Sequence, residues 1–151
     1  MIINKINDYY EIKLPNTKLN IYDTKELEQI TKKIIKKIDK KATLKNIIHL
    51  EFYINNNYGI IIKLKDSNSY FSKAKDKDVK ITIHVEAPFL YQIEYFNIEK
   101  TIKKENTYYY KNKFYLEIND TIDKKLYLNI LEQSEIIYEE TSDIIDKGIK
   151  I

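Results

Sequence analysis

The chain contains no cysteine and no arginine, and it has only two glycines and two prolines among 151 residues. Without cysteine it can form no disulfide, thiolate metal site or cysteine nucleophile, so nothing requires an oxidising compartment. Without arginine it lacks the planar group that binds phosphates and guanine edges through paired hydrogen bonds, which disfavours sequence-specific recognition of nucleic acid. Gly59 and Gly148 are too far apart to form a phosphate-binding loop, which disfavours nucleotide enzymes.

The sequence also lacks the features of a secreted or membrane-spanning protein. Residues 1–5 lead directly into polar and aromatic sequence, without the apolar segment and small-residue cleavage site of a signal peptide. No apolar run approaches the about 20 residues that a transmembrane helix needs. We therefore expect a cytoplasmic protein that does not associate with membranes. Its length fits one domain or two very small ones.

Charge is distributed unevenly along the chain. Residues 1–75 carry 15 lysines against 8 acidic residues, a net charge of +7, and residues 76–151 carry 11 lysines against 15 acidic residues, a net charge of −4. Such an asymmetry is typical of two halves that attract one another, or of a basic face that meets an acidic partner. The first interpretation, or no functional consequence, is favoured here.

The first half of the sequence predicts a strand, a helix and a hairpin. Residues 9–14 alternate as a strand does and stop before a proline, which cannot donate to a central ladder. Asp23 has capping-box spacing to a glutamate three residues later and predicts the start of an amphipathic helix, 24–41, with a basic outer side. In 47–65 the apolar period is two, and the three asparagines at 55–57 predict the turn of an antiparallel hairpin.

The second half repeats this order of elements without residue-level identity. Alternation predicts strands at 79–85 and 89–95, and a helix capped by Asp120 or Thr121 carries its apolar residues on one side. The other predicted elements are a brief helix at 97–104, a hairpin of 107–110 and 114–118 joined by Lys111, Asn112 and Lys113, a strand at 136–138, and a helix at 142–147 closed by a left-handed Gly148.

These elements predict an α+β fold with a mainly antiparallel sheet and two principal helices. The two halves are similar in order: residues 1–66 form the N-terminal strand-helix-hairpin half, and residues 79–151 form the C-terminal α+β half. The polar and charged segment 67–78 between them is predicted to be a linker, although the halves can also pack as one domain.

Few residues have the arrangement that catalysis requires. His49 and His84 fall on the polar faces of predicted strands, and Glu51 follows His49 at the spacing that puts both side chains on one face. Such a pair can act as a base with its orienting group, or in a metal site, but two histidines without cysteine are a small ligand set. An exposed polar strand face is the favoured interpretation. The sequence predicts a non-enzymatic protein without a catalytic residue, metal or cofactor.

Two features are suited to binding a partner. The outer side of helix 24–41 carries lysines, with Lys33, Lys37 and Lys41 as the candidate contacts for an anionic surface. Aromatic residues are dense between 89 and 115, and strand alternation predicts that Tyr109 and Tyr115 share one face, opposite Tyr108, Tyr110 and Phe114. Tyrosine is enriched in protein interfaces, so Tyr109 and Tyr115 are candidate contacts for a protein partner, although core packing explains most of these rings.

Three stretches of the C-terminal half carry a resemblance to a known family. They are 95–102 (Tyr-Phe-Asn-Ile-Glu-Lys-Thr-Ile), 108–116 (Tyr-Tyr-Tyr-Lys-Asn-Lys-Phe-Tyr-Leu), and the segment from Ile130-Leu131-Glu132 to the closing Asp-Lys-Gly-Ile-Lys-Ile of 146–151. Together they resemble the MecA family of bacterial adaptor proteins. The resemblance implies an adaptor that delivers client proteins to a Clp-type AAA+ unfoldase. A protein that binds another protein is therefore the leading expectation, and a nucleic-acid- or ribosome-associated protein that uses the lysine side of helix 24–41 is the alternative.

Overall fold

The computed structural model describes residues 1–40, 43–45, 47–67, 78–85, 88–94, 106–118 and 123–151. Within these ranges the chain forms three helices and ten strands in two mostly antiparallel sheets, which confirms the predicted α+β class. The chain divides into two compact units, Met1–Glu86 and Ala87–Ile151, each with one five-stranded sheet. None of the helices in the described ranges is long and apolar enough to cross a membrane.

The described part of the first unit contains five strands and one helix. Its sheet has the order β1-β2-β4-β3-β5, and every neighbouring pair is antiparallel except β3 with β5, which is parallel. The elements are β1 (Ile2–Ile6), β2 (Tyr9–Pro15), α1 (Thr24–Asp39), β3 (Ile47–Asn55), β4 (Gly59–Ser67) and β5 (Asp78–His84).

Helix α1 begins where the sequence predicts. The side chain of Asp23 accepts hydrogen bonds from the backbone N–H groups of Lys25 (3.1 Å) and Glu26 (3.3 Å), which satisfies two of the donors that a helix start leaves open. The carboxylate of Glu26 accepts a longer bond (3.4 Å) from the backbone N–H of Asn20 rather than from that of Asp23. Asp23 therefore caps the helix, but the reciprocal half of a capping box is displaced to Asn20.

One face of the first sheet packs against α1. Ile34 and Ile38 of the helix are buried in the same cluster as the inward residues of the strands, which are Ile12, Ile48, Leu50, Phe52, Ile60, Ile62 and Leu64. The period of two in β3 and β4 and the helical period in α1 thus meet in one apolar core. The opposite face, which we call the polar face of the first sheet, carries the alternate residues of each strand, including His49, Glu51, Lys63 and Glu11.

Two features of the first unit differ from the sequence prediction. Strand β1 goes beyond the elements that the sequence predicts; it pairs with β2 across a turn in which Asn7 has a φ of 50°. The sequence predicts the strand at 79–85 as part of the C-terminal half, but β5 pairs with β3 over seven residues and belongs to the first unit. The division therefore falls after Glu86 and not at 67–78, whose residues 68–77 lie outside the described part of the chain.

In its described residues the second unit has five strands and two helices, with the sheet order β10-β7-β8-β6-β9 and antiparallel pairs throughout. The elements are β6 (Leu90–Ile93), β7 (Thr107–Tyr110), β8 (Lys113–Glu117), α2 (Lys124–Gln133), β9 (Ser134–Ile137), α3 (Thr141–Lys147) and β10 (Ile149–Lys150). The helix predicted at 97–104 and the caps predicted at Asp120 and Thr121 lie outside the described residues.

Each face of the second sheet contacts one helix. On one face Tyr91 of β6 meets Tyr127 of α2; their hydroxyl oxygens are 2.8 Å apart and their rings form an edge-to-face pair with centroids 6.0 Å apart. On the other face Ile144 of α3 packs in one cluster with Tyr108 and Tyr115. Tyrosines from both faces are therefore part of the core of this unit.

Gly148 does not have the left-handed conformation that the sequence predicted, since its φ is −68° and its ψ is 153°. Its backbone N–H still donates to the carbonyl of Ile144 (2.8 Å) and so closes α3. A Cβ atom at this position would collide with the Ile144 carbonyl oxygen and lie 3.3 Å from the Cβ of Tyr108. Glycine is therefore required mainly by the adjacent Ile144 carbonyl at the end of α3, with Tyr108 of β7 as a second tight contact, and not by a positive φ.

Candidate functional site

The polar face of the first sheet contains a cluster of charged and aromatic side chains around Glu51. Strand β3 places His49, Glu51 and Tyr53 on this face, β4 supplies Lys65, and the parallel pairing of β3 with β5 brings His84 beside Tyr53. We call these five residues the Glu51 cluster. They come from three strands, and they include both histidines of the sequence.

Every member of the Glu51 cluster is close to the Glu51 carboxylate. The hydroxyl of Tyr53 donates to Oε2 at 2.8 Å, and Nε2 of His84 lies 3.3 Å from the same oxygen. Nδ1 of His49 and Nζ of Lys65 are 3.9 and 4.0 Å from Oε1. A further contact of 2.8 Å joins Nε2 of His49 to Oγ1 of Thr82 in β5. The carboxylate is thus surrounded by donors and cationic groups.

The charge on Glu51 is stabilised by this environment. Partial burial raises the pKa of the carboxyl group, but the hydrogen bonds from Tyr53 and His84 and the electrostatic interactions with His49 and Lys65 together outweigh it and leave the pKa below its ordinary value. A general base works best with a pKa near the operating pH, and Glu51 is shifted in the opposite direction. Its geometry suits a fixed acceptor that joins β5 to β3 better than a group that exchanges protons.

Metal binding has no support in the described part of the chain, where no group of three or more histidine and acidic residues is arranged to hold an ion. The Oε2 atom of Glu51 is already engaged by both Tyr53 and His84. The proximity of His49 and Glu51 that the sequence indicated is present, and the structure adds His84 to it. Sequence reasoning missed this third member because 33 residues separate His84 from Glu51 and only the β3–β5 register joins them.

The outer side of α1 forms a strongly charged surface of the first unit. Five lysines are exposed there, and we call them the α1 lysine surface: Lys32, Lys33, Lys36, Lys37 and Lys40. At 100° per residue they fall within an arc of about 140°, along about 12 Å of helix. Among the described residues, none of the five has a carboxylate within ion-pair distance. Lys33 and Lys37 are thus placed as predicted, and Lys41 lies outside the described residues.

The tyrosine surface predicted from the sequence is not formed. In the β7–β8 hairpin Tyr115 pairs with Tyr108, and Tyr109 pairs with Phe114, so Tyr109 and Tyr115 lie on opposite faces of the sheet. Tyr115 is only 7% exposed and packs with Ile144 of α3. Tyr109 is half-buried; its hydroxyl donates to Asn112 at 2.9 Å, and its ring lies 5.0 Å from that of Phe114.

The side chains beside Tyr115 confirm that this face belongs to the core. Tyr108 is also 7% exposed, and its hydroxyl donates to Glu117 at 2.9 Å. Burial, together with this carboxylate, raises the pKa of Tyr108, and burial raises that of Tyr115 as well. Tyr108 and Tyr115 are both buried in this core. Because Tyr109 lies on the other face, Tyr109 and Tyr115 do not constitute a single binding surface.

Two surface depressions contain polar groups without a catalytic arrangement. One, of 470 Å³, lies in the first unit and is lined by amides and backbone near Asn16, Asn55 and Gly59. The other, of 620 Å³, lies in the second unit and is lined by three glutamates, which are Glu94, Glu132 and Glu135, together with Lys113, Ser134 and other residues. The hydroxyl of Ser134 donates to the carbonyl of Ile130 at the end of α2. This hydroxyl therefore makes a local backbone contact and is not hydrogen-bonded to a base.

No protein-family model, curated protein or solved structure matches the chain. The resemblance to the MecA family stays a prediction from the three stretches that carry it, of which 95–102 lies outside the described residues. Functional inference therefore rests on the surfaces described above.

Proposed function

We propose that the protein is a non-catalytic interaction protein of the adaptor kind, which binds an acidic surface of another protein through the α1 lysine surface. The observation that carries the proposal is the concentration of five exposed lysines on one side of α1. Its other side is fixed in the core by Ile34 and Ile38, so the lysines are presented on a rigid element. Complementary charge steers association and favours the matching partner over others.

The composition of this surface favours a protein partner over a nucleic acid. Lysine is a point charge and lacks the planar fork that binds a base edge or a phosphate through two hydrogen bonds. Proteins that bind single strands also stack bases on aromatic rings, and the α1 lysine surface contains none. Gln29, which precedes these lysines along the chain, lies on the same side of the helix.

A nucleic acid is the second candidate because five cationic groups over about 12 Å of helix also fit a phosphate backbone without reading sequence. Such binding depends on counterion release, so its affinity falls steeply with salt, with a logarithmic slope of about −0.9 for each phosphate contacted on duplex DNA. Binding of an acidic protein surface through the same lysines also weakens with salt, so sensitivity to nuclease rather than salt dependence alone separates the two candidates.

The two candidates separate in a capture experiment with the intact protein and two charge-reversal variants. The variant Lys33→Glu/Lys37→Glu reverses two charges of the α1 lysine surface. Its control, Lys124→Glu/Lys125→Glu, makes the same change in net charge at exposed positions of α2. Captured partners are identified by mass spectrometry before and after nuclease treatment, and their affinity is measured between about 50 and 200 mM salt.

The proposal predicts a nuclease-resistant protein partner that the unchanged chain and the α2 variant capture and the α1 variant does not. Loss of all partners after nuclease treatment, with a steep salt dependence, would instead support nucleic-acid binding. Equal capture by the α1 variant would show that this surface is not used. Because of the MecA resemblance, a purified Clp-type AAA+ unfoldase should also be tested as a partner of the unchanged chain and of both charge-reversal variants.

A further inference from the structure

Strand β5 is the outermost strand of the first sheet, and only one of its edges is paired. It hydrogen-bonds with β3 on one side, and no strand in the described ranges pairs with the other. Residues 78–82 are all exposed, including Val79 (37%) and Ile81 (40%). The outer edge therefore offers backbone donors and acceptors beside two accessible apolar side chains.

Such an edge is usually protected in a protein that stays monomeric, by a proline, a bulge, charged side chains or a covering element. Strand β5 contains neither proline nor glycine, its register with β3 runs without interruption from Asp78 to His84, and its charged residues, Asp78 and Lys80, lie towards its N-terminal end. A long regular edge with exposed apolar residues is a template for another strand. The question is which strand its side chains accept.

The sequence of β5 is complementary to itself when two copies run antiparallel with Ile81 at the centre. Asp78 then lies opposite His84 of the second copy, Val79 opposite Ile83, Lys80 opposite Thr82, and Ile81 opposite Ile81. An acidic group faces a histidine at each end, and the apolar residues form one row across the junction. Opposite charges and apolar pairs in directly facing positions stabilise an antiparallel ladder.

The neighbouring registers are less favourable. Centring the pair on Lys80 places two lysines opposite each other, and centring it on Thr82 places Lys80 instead of Asp78 opposite His84, so that the acidic partner of the histidine is lost. Like charges in facing positions destabilise a strand pair. Charge therefore selects the register centred on Ile81.

We propose that the protein forms a symmetric dimer through β5, in which the two strands pair antiparallel about Ile81 and join two five-stranded sheets into one. The same edge is used by both copies, so the contact is closed by a two-fold axis and does not propagate into a fibre. The α1 lysine surface would then be present twice in one particle. The dimer does not depend on the function proposed above.

The absence of cysteine from the sequence allows a direct test by introduced thiols. In an antiparallel pair, directly opposite Cα atoms are about 4.5–5.5 Å apart, which is within the range that a disulfide spans. Ile81→Cys should therefore cross-link to itself under mild oxidation, seen as a covalent dimer on non-reducing electrophoresis. The matched control is Val79→Cys, at a similarly exposed position on the same face.

In the proposed register Val79 lies four positions, about 13 Å, from Val79 of the second copy. Val79→Cys alone should remain uncross-linked, whereas a mixture of Val79→Cys and Ile83→Cys should give a mixed dimer. Without oxidant, light scattering of the unchanged protein should give twice the chain mass of 18.2 kDa, and Ile81→Lys should return the mass to that of one chain. Circular dichroism confirms that each variant is folded.

Two results would overturn the dimer. One is a mass of a single chain for the unchanged protein at all concentrations up to about 1 mM, the concentration at which an association worth about 4 kcal/mol is half complete. The other is cross-linking of Val79→Cys as efficient as that of Ile81→Cys, which would exclude the register. A dimer that persists in Ile81→Lys would place the contact elsewhere and would equally refute the proposal.

Discussion

The ring of Tyr53 stacks on the imidazole of His84, with centroids 4.5 Å apart and planes inclined by 9°. Tyr53 belongs to β3 and His84 to β5, and the two are direct neighbours in the parallel register. The same two side chains both contact the carboxylate of Glu51. The edge strand β5 is thus attached to the sheet by side chains as well as by its backbone ladder.

Replacing Glu51 by glutamine should reduce stability at neutral pH. The folded-state pKa of Glu51 is below its ordinary value, so its stabilisation is fully present above the unfolded-state pKa of about 4.3 and is lost as the pH falls through the folded-state value. Thermal unfolding should show a deficit for Glu51→Gln at pH 7 that diminishes towards pH 3. The control is Glu28→Gln, at an exposed position of α1, whose difference from the parent should stay small throughout. A Glu51→Gln deficit independent of pH would contradict the charged network.

Truncating the core of the first unit should be costly. Ile34 and Leu50 are both fully buried in the cluster between α1 and the sheet, and either residue changed to Ala should lower the free energy of unfolding by about 2–5 kcal/mol. Urea denaturation followed by circular dichroism measures this loss. Lys36→Ala on the exposed side of the same helix should change stability by no more than about 0.5 kcal/mol. Similar free energies of unfolding for all three variants would show that the apolar side of α1 is assigned to the wrong residues.

Gly59 should not tolerate a side chain. Its φ is +126°, and a Cβ atom there would collide with the carbonyl oxygen of Leu14 and lie 2.8 Å from the backbone nitrogen of Asn16. Gly59→Ala should therefore destabilise the first unit by at least about 1–3 kcal/mol, the cost of a strained backbone conformation. Asn56→Ala in the adjacent turn is the control, since Asn56 is exposed. An unaffected melting temperature for Gly59→Ala would be incompatible with this packing.

The two tyrosines considered from the sequence should behave differently. Tyr115 is buried beneath α3, so Tyr115→Ala should lower the free energy of unfolding by about 3–5 kcal/mol, as truncation of a buried aromatic does. Tyr109 is only half-buried, and Tyr109→Ala should cost about 1 kcal/mol, close to the average substitution. Chemical denaturation of both variants tests the ranking, and a larger loss for Tyr109→Ala would reverse the assignment of faces.

Local sequence was sufficient for the start of α1 and the hairpin of β3 and β4. Asp23 caps its helix through backbone groups two and three residues away, and Asn55 accepts bonds from the backbone of Asn57 and Tyr58 in the turn that follows. These interactions involve neighbours in the chain, so composition and spacing predict them. Alternation in 47–65 also predicted which residues of β3 and β4 enter the core.

Which side chains share a face of the β7–β8 hairpin depends on the length of its turn. The sequence predicts a turn of three residues, Lys111 to Lys113. Such a turn would pair Tyr109 with Tyr115 directly across the hairpin, so that both side chains share one face. The structure has a turn of two, with Lys111 and Asn112 at φ values of 47° and 63°, and β8 begins at Lys113. Consecutive left-handed residues match the twist of a tight hairpin, and the resulting shift of one residue moves Tyr115 to the other face.

The α+β class, the capped helix with its lysine side and the antiparallel hairpins follow from local sequence, because each depends on residues close in the chain. The parallel pairing of β5 with β3 follows from the folded arrangement instead, because it depends on contacts between strands that are not adjacent along the sequence. The same pairing brings His84 to Glu51 and, in the described part of the chain, leaves one edge of β5 without a partner strand. The candidate surfaces therefore divide: the α1 lysine surface follows from helical periodicity, whereas the Glu51 cluster and the β5 edge follow from strand order.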